Sequence, residues 1–364
     1  MKRITKVLSL LVVAVMIFAL AACSSGKVSK DTAATDSSNV TQDNTQSSSN
    51  ETTDNSGAKD KKIVFGISMP QLDNDGFKAN LISIQQFAEE YGIELITSDA
   101  KNTADLQMQH IEDFITKKVD AIVMCPIDSG ALAAAVKKAN EAGIPVAAFD
   151  RNVSGGELAG LAESDNRAHG AKAAELMAEV AKKSGMDISE LKVLELQGAL
   201  STSAGLERHE GFVSKAQELG INIVSSLPTE FKSDIAYSAV MDALQAKPEI
   251  NAIFVPSDNA CYNGVESALT QINRLKKTGE KGHIIITTVD GGPLGLEGIR
   301  NGYIDAIAAQ SKLLMSHEAM MLAYKTVTGE KIENPIVRIP PTPVTIDNVD
   351  DESLWANAIK KMKK

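Results

Sequence analysis

Residues 120–152 read DAIVMCPIDSGALAAAVKKANEAGIPVAAFDRN. An apolar run, DAIVMC (120–125), leads into a helical pattern, ALAAAVKKANEAG (131–143), and then a second apolar run, PVAAF (145–149). Strand, helix and strand at this spacing make a βαβ unit, which joins parallel neighbours in a sheet. Neither run alternates polar with apolar residues, as expected of strands covered by helices on both faces. The second run ends on Asp150 and Arg151, opposite charges side by side. Ligands of open α/β sheets sit outside the carboxyl ends of the strands, so a charged pair has chemical use at this point.

The same rhythm extends in both directions. Toward the N-terminus, IVFGIS (63–68) precedes an amphipathic stretch to Tyr91, and IELIT (93–97) precedes another from Ala104 to Lys117. Toward the C-terminus come LKVLELQG (191–198), INIVSS (221–226), NAIFVPS (251–257), HIIITTVD (283–290) and DAIAAQ (305–310). Helices are expected to begin near Ala204, Asp234, Asn259 and Gly292 between them. Two βα series of similar size predict an α/β fold of two similar doubly wound parallel-sheet lobes. Pro-rich IPPTPVTID (339–347) reads as an extended connector, since proline is excluded from helix interiors. Asp350 to Lys364 reads as a helix whose acidic start and basic end suit the helix dipole.

The N-terminus carries an export signal. Lys2, Arg3 and Lys6 precede an apolar run, Val7 to Ala22, broken only by Ser9, and then Cys23. A positive start, a short apolar core and small residues before the cysteine form a cleavable leader, residues 1–22. Residues 24–60 are mostly Ser, Thr, Asn, Asp and Gln without one aromatic residue, so 23–61 is read as a disordered tether. The 364-residue chain has a formal charge of −10, and losing the leader makes it −13. Acidity of this size argues against a nucleic-acid surface, which needs clustered Lys and Arg. Cys125 and Cys261 read as free, buried thiols, and the five histidines show no metal-ligand spacing.

The strand ends carry a consistent set of groups. They are Asn74 and Phe77, Asp150 and Arg151, Arg208, Phe231, Ser257, Asp290 and Gln310. Carboxylates and guanidinium forks match vicinal hydroxyls, and a phenyl ring suits the C–H face of a sugar. Asp258, next to Ser257, reads as a helix N-cap. The set points to a neutral polyhydroxylated ligand.

From Lys62 to Val344 the chain resembles the ribose-binding group of type I periplasmic sugar-binding proteins. The matching stretches are PVAAFDRN, LAESDN (161–166), ELQGALSTSAGLERHEGF (195–212), PTEF, NAIFVPSDNA, TTVDGGPLG and DAIAAQ. The resemblance implies a three-crossing hinge near Ser164–Asp165, Gln310–Ser311 and Ile339–Pro341. One lobe would then comprise 62–164 and 311–339, the other 165–310 and 340–364. It implies that Asn74, Phe77, Asp150 and Arg151 contact the ligand from the first lobe. Arg208, Phe231, Asp290 and Gln310 would contact it from the second lobe and hinge. The sequence LAAC (20–23) resembles the bacterial lipobox, which implies diacylation of Cys23 and a membrane-anchored, extracytoplasmic protein. Two departures bear on specificity. Gly76 stands where the ribose binders carry a second aromatic residue, and Ser257 where they carry Asn. They imply a monosaccharide or polyol other than ribose.

The expected function is that of a lipid-anchored solute receptor. It would act as a monomer, without cofactor or metal, and deliver a monosaccharide or polyol to the permease of an ABC importer. The alternative is a sensory receptor for a sugar or an autoinducer-2-like signal, coupled to a membrane kinase or chemoreceptor. An enzyme is disfavoured. GxSxG, HExxH, P-loop and GxGxxG motifs are all lacking. Asp150 and Asp290 remain as a carboxylate pair, but neighbouring arginines would keep both ionised, which unsuits them for general-acid work.

Overall fold

The computed structural model describes residues 62–362. The expected leader, the acylated Cys23 and the tether lie outside the described residues. Among those described, two six-stranded sheets organise the chain. The first contains β1 (Val64–Met69), β2 (Glu94–Asp99), β3 (Ala121–Met124), β4 (Val146–Phe149), β5 (Gly160–Ser164) and β11 (Ile336–Ile339), in the order β11-β5-β4-β3-β1-β2. The second contains β6 (Lys192–Gln197), β7 (Asn222–Pro228), β8 (Ala252–Val255), β9 (Ile285–Asp290), β10 (Ala306–Ala309) and β12 (Thr342–Val344), in the order β12-β10-β9-β8-β6-β7.

Every strand pair is parallel except β12 against β10, where Val344 faces Ile307. β3, β4, β8 and β10 are buried at every residue, which is why their sequences are unbroken apolar runs. The two sheets are each packed on both faces. In the first, α1 (Asp75–Tyr91) and α9 (Lys312–Thr328) cover one face, and α2 (Ala104–Lys117) and α3 (Ala133–Glu141) the other. In the second, α4 (Asn166–Lys183) and α5 (Ser203–Leu219) cover one face. Its other face carries α6 (Ser233–Ala246), α7 (Asn263–Gln271), α8 (Pro293–Asn301) and α10 (Trp355–Met362). The chain crosses between sheets after β5, after β10 and between β11 and β12.

Three strands differ from the sequence expectation. β5 holds the sequence GLAES, too short and too polar at Glu163 to stand out as an apolar run. The stretch read as a connector, 339–347, contains the end of β11 and all of β12. Pro343 is tolerated there because β12 is an edge strand. The last helix starts at Trp355 rather than Asp350. Asp350 instead pairs with Arg300 Nε at 2.8 Å, and Asp351 accepts the backbone N–H of Ser353 at 2.8 Å, closing a turn ahead of the helix. Cys125 and Cys261 are buried and free. Among the described residues no helix is long and apolar enough to cross a membrane, and no three His, Cys, Asp or Glu side chains cluster as a metal site would require.

Candidate ligand-binding cleft

A cleft of ≈ 570 Å³ opens between the two sheets' layers. Asp73, Asn74, Asp75, Gly76, Phe77, Asp150, Arg151 and Lys312 line it from the first-sheet side. Asn259, Asp290, Pro293, Leu294 and Trp355 line it from the other.

On the first side, β4 delivers Asp150 at its carboxyl end. Asp150 adopts φ 66°, a left-handed conformation that is unfavourable for a non-glycine residue. Its N–H donates to Ala162 O on β5 at 2.9 Å, which holds the turn. The carboxylate lies 3.3 Å from Lys312 Nζ and 3.9 Å from Arg151 Nε. Burial works against its charge, but Lys312 first and Arg151 next outweigh burial, so the carboxyl titrates below its ordinary value. The Cys125 thiol, 3.9 Å away, is pushed far up by burial and stays protonated. Arg151 donates to Pro126 O and Ile127 O at 3.3 and 3.4 Å and lies 6.0 Å over the Phe77 ring. Asn74 caps α1, its Oδ1 accepting from Gly76 N at 2.8 Å and Phe77 N at 3.3 Å.

On the second side, β9 ends in Asp290, also at a positive φ, 97°. Arg208 Nη2 lies 3.1 Å from Asp290 Oδ1, and Ser257 Oγ donates to Asp290 Oδ2 at 2.5 Å. The carbonyl of Asp290 accepts from Trp355 Nε1 at 3.0 Å and from Gln310 N at 3.1 Å. Arg208 further donates to Pro256 O at 2.7 Å and Asn166 Oδ1 at 3.0 Å. Its guanidinium lies 5.9 Å over the Phe231 ring. That ring fills the space left by Gly198, where a Cβ would come within 2.2 Å of it. Phe231 itself stands at φ 52°.

Asp258 is not the helix cap expected of it. Ser257 Oγ accepts the Ala260 N–H at 3.2 Å and does the capping. Asp258 is fully buried and accepts Gly291 N at 2.7 Å, Gly292 N at 3.0 Å and Thr288 Oγ1 at 3.3 Å. It therefore grips the backbone just after Asp290. Burial, and then the neighbouring Asp290 carboxylate, push Asp258 up to about 8.

The nine candidate residues converge to different depths. Asn74, Phe77, Asp150, Arg151 and Asp290 line the cleft. Arg208 and Ser257 reach it through Asp290, and Phe231 stands behind Arg208. Gln310 follows β10 directly, buried, with Oε1 lacking a protein partner. Sequence reasoning missed Lys312, Trp355, Asn259 and Asn166. Lys312 stands two residues past Gln310, so the strand-end rule could have found it. Nothing local marks Trp355. It comes from the last helix of the chain, and α1, packed against that helix, helps to place it.

Residues 65–331 match the periplasmic binding protein domain. The chain is 30% identical over 282 residues to the ribose import binding protein of Bacillus subtilis (strain 168), covering 78% of this chain and 87% of that protein. It is 26% identical over 266 residues to a xylitol-binding protein of Mycolicibacterium smegmatis, covering 72% of each. An ABC transporter periplasmic solute-binding protein of Actinobacillus succinogenes 130z, solved with bound D-allose, superposes with a TM-score of 0.68 at 25% identity, covering 80% of this chain and 100% of that one. An ABC transporter solute-binding protein of Bacillus halodurans C-125 with bound myo-inositol gives 0.65 at 25% identity, covering 81% and 98%.

Proposed function

Because this chain belongs to the periplasmic binding protein family, we propose that it captures a neutral monosaccharide or polyol between its lobes and delivers it to an ABC importer. The family consists of substrate-binding transport proteins rather than enzymes. The observation that carries the ligand class is the pairing of charges in the cleft. Asp150 faces Lys312 and Arg151, and Asp290 faces Arg208. A neutral ligand rich in hydroxyls can donate to the acids and accept from the cations without leaving a charge unmatched. Phe77 supplies an apolar face at the cleft, and Phe231 backs the Arg208 guanidinium on the other side. The unpartnered Gln310 Oε1 is a further acceptor for a hydroxyl. Hydrogen bonds to charged groups contribute ~1.5–3 kcal/mol each. A few of them, after ordering costs, support a binding free energy of about −8 kcal/mol, or micromolar affinity.

The lobes, 62–164 with 311–339 and 165–310 with 340–364, close on the ligand in this reading. The ligand stabilises the closed state by its greater affinity for that state. The leader 1–22 directs export, and diacylated Cys23 anchors a single chain to the outer face of the cell membrane through the tether. The pattern of charge, apolar run and LAAC supports this part.

A thermal-shift series with D-ribose, D-allose, xylitol and myo-inositol tests the ligand class. At least one should raise Tm in a concentration-dependent way in wild type. Silence toward all four, and toward a wider set of pentoses and hexoses, overturns it. Retention of the Cys23→Ala variant at the membrane overturns the anchor.

A further inference from the structure

Phe77 offers the cleft a ring, but its neighbour Gly76 offers no side chain. A Cβ on Gly76 would lie 3.7 Å from Lys312 Cε. The end of the lysine stem thus stands beside the open side of Gly76, and its ammonium reaches Asp150 Oδ1 at 3.3 Å. The base of the stem is fixed. Asn80, buried on α1, donates to Lys312 O at 2.7 Å, and Ser83 donates to Leu313 O at 2.7 Å. The start of α9 is bolted to α1, while the far end of Lys312 remains at the cleft wall.

The contact to Asp150 is longer than the ~2.7–2.9 Å of a tight charge-assisted bond. A ligand hydroxyl can join the pair, its oxygen accepting from the ammonium and its hydrogen donated to the carboxylate. Both charges then keep a partner. A ligand ammonium at the same point would meet Lys312 and Arg151, two like charges. A ligand carboxylate would meet Asp150, with exposed Asp73 at the rim.

We infer that Lys312 is a specificity-determining residue of this cleft. With Asp150 it clamps one hydroxyl of a neutral sugar or polyol, on the wall that Gly76 leaves without a side chain. The inference rests on the ligand class proposed above.

Calorimetric titration of wild type and Lys312→Met with D-ribose, D-allose, xylitol and myo-inositol tests it. Met keeps the stem and removes the charge. The strongest wild-type binder should lose roughly tenfold or more in affinity, and the unliganded Tm should fall as the buried Asp150 carboxylate loses its nearest cation. The order of preference among the four should also change, which a merely structural role would not produce. Lys312→Gln serves if the Met variant does not fold. A variant that folds and binds the four within about threefold of wild type, in the same order, overturns the role of Lys312 alone. Wild type that binds none of the four, nor any of the wider set of pentoses and hexoses, overturns the ligand class, and this assignment with it.

Discussion

On the second-lobe side of the cleft, Arg208 and Asp290 are 5% and 13% exposed, and both carboxylate oxygens have a donor. On the first-lobe side, Arg151 is 48% exposed, stands 3.9 Å from Asp150, and leaves the closer contact to Lys312. The residue types are the same, an aspartate followed in space by a guanidinium, yet one pair is saturated and the other loose. Desolvation accounts for the difference. A buried guanidinium such as Arg208 persists only if its donors are satisfied, whereas half-exposed Arg151 can lean on water, although Asp150 itself is about as buried as Asp290. Under the proposed function the second lobe presents a prebuilt template, and the first an adjustable grip.

The largest expected effect breaks the template. Arg208→Ala leaves Asp290 without its cation beside buried Asp258, and should cost about 3–5 kcal/mol of stability in chemical denaturation. Arg151→Ala should cost less than about 1 kcal/mol. Equal losses would erase the contrast.

Acid titration sharpens it next. His169, in the second lobe beside the first crossing, is buried with Nδ1 2.7 Å from Asp165 O. Burial lowers its pKa from 6.5 to about 4. The native state then binds fewer protons than the unfolded state in that window. Stability is whole above pH 6.5 and falls as pH drops toward 4, by up to ~3 kcal/mol. Asp150, with its lowered pKa, contributes stability above 3.8 that is lost only as pH falls below that value. Urea unfolding at stepped pH should show the two phases in that order, and His169→Gln should flatten the first.

Asp150→Asn should weaken ligand binding by ~2 kcal/mol through a lost charge-assisted bond, together with a lower unfolding midpoint near neutral pH from the lost pairing with Lys312. A shifted midpoint with intact binding would make the first-lobe pair structural. The smaller effect on binding is expected from Phe231→Ala, which removes the ring behind Arg208 and should weaken binding by ~1–2 kcal/mol in a thermal-shift titration. No change would place the ring outside the ligand's reach.

Asp150 was readable because it ends an unbroken apolar run, and Asp290 because it ends a buried run interrupted only by Thr287 and Thr288, as parallel strands covered on both faces are predominantly apolar. The shorter β5 and edge strands β11 and β12 carry too little apolar sequence to be seen this way. Asp258 was misread because an N-cap and a loop-gripping carboxylate have the same local sequence. Only packing distinguishes them, through the Gly291 and Gly292 N–H groups lying 33 and 34 residues away. Lys312 followed the strand-end rule at one remove, while Trp355 followed no rule of spacing.

The order of residues alone determined the two βα series, the parallel strands and the acids at their ends, because burial on both faces imposes its pattern along the chain. Which atoms satisfy those acids was decided by the tertiary structure. Lys312 reaches the Asp150 carboxylate across 162 residues, and Ser257 reaches the Asp290 carboxylate across 33. A charge placed in a low-dielectric cleft takes the nearest donor in space, and sequence separation carries no information about that distance.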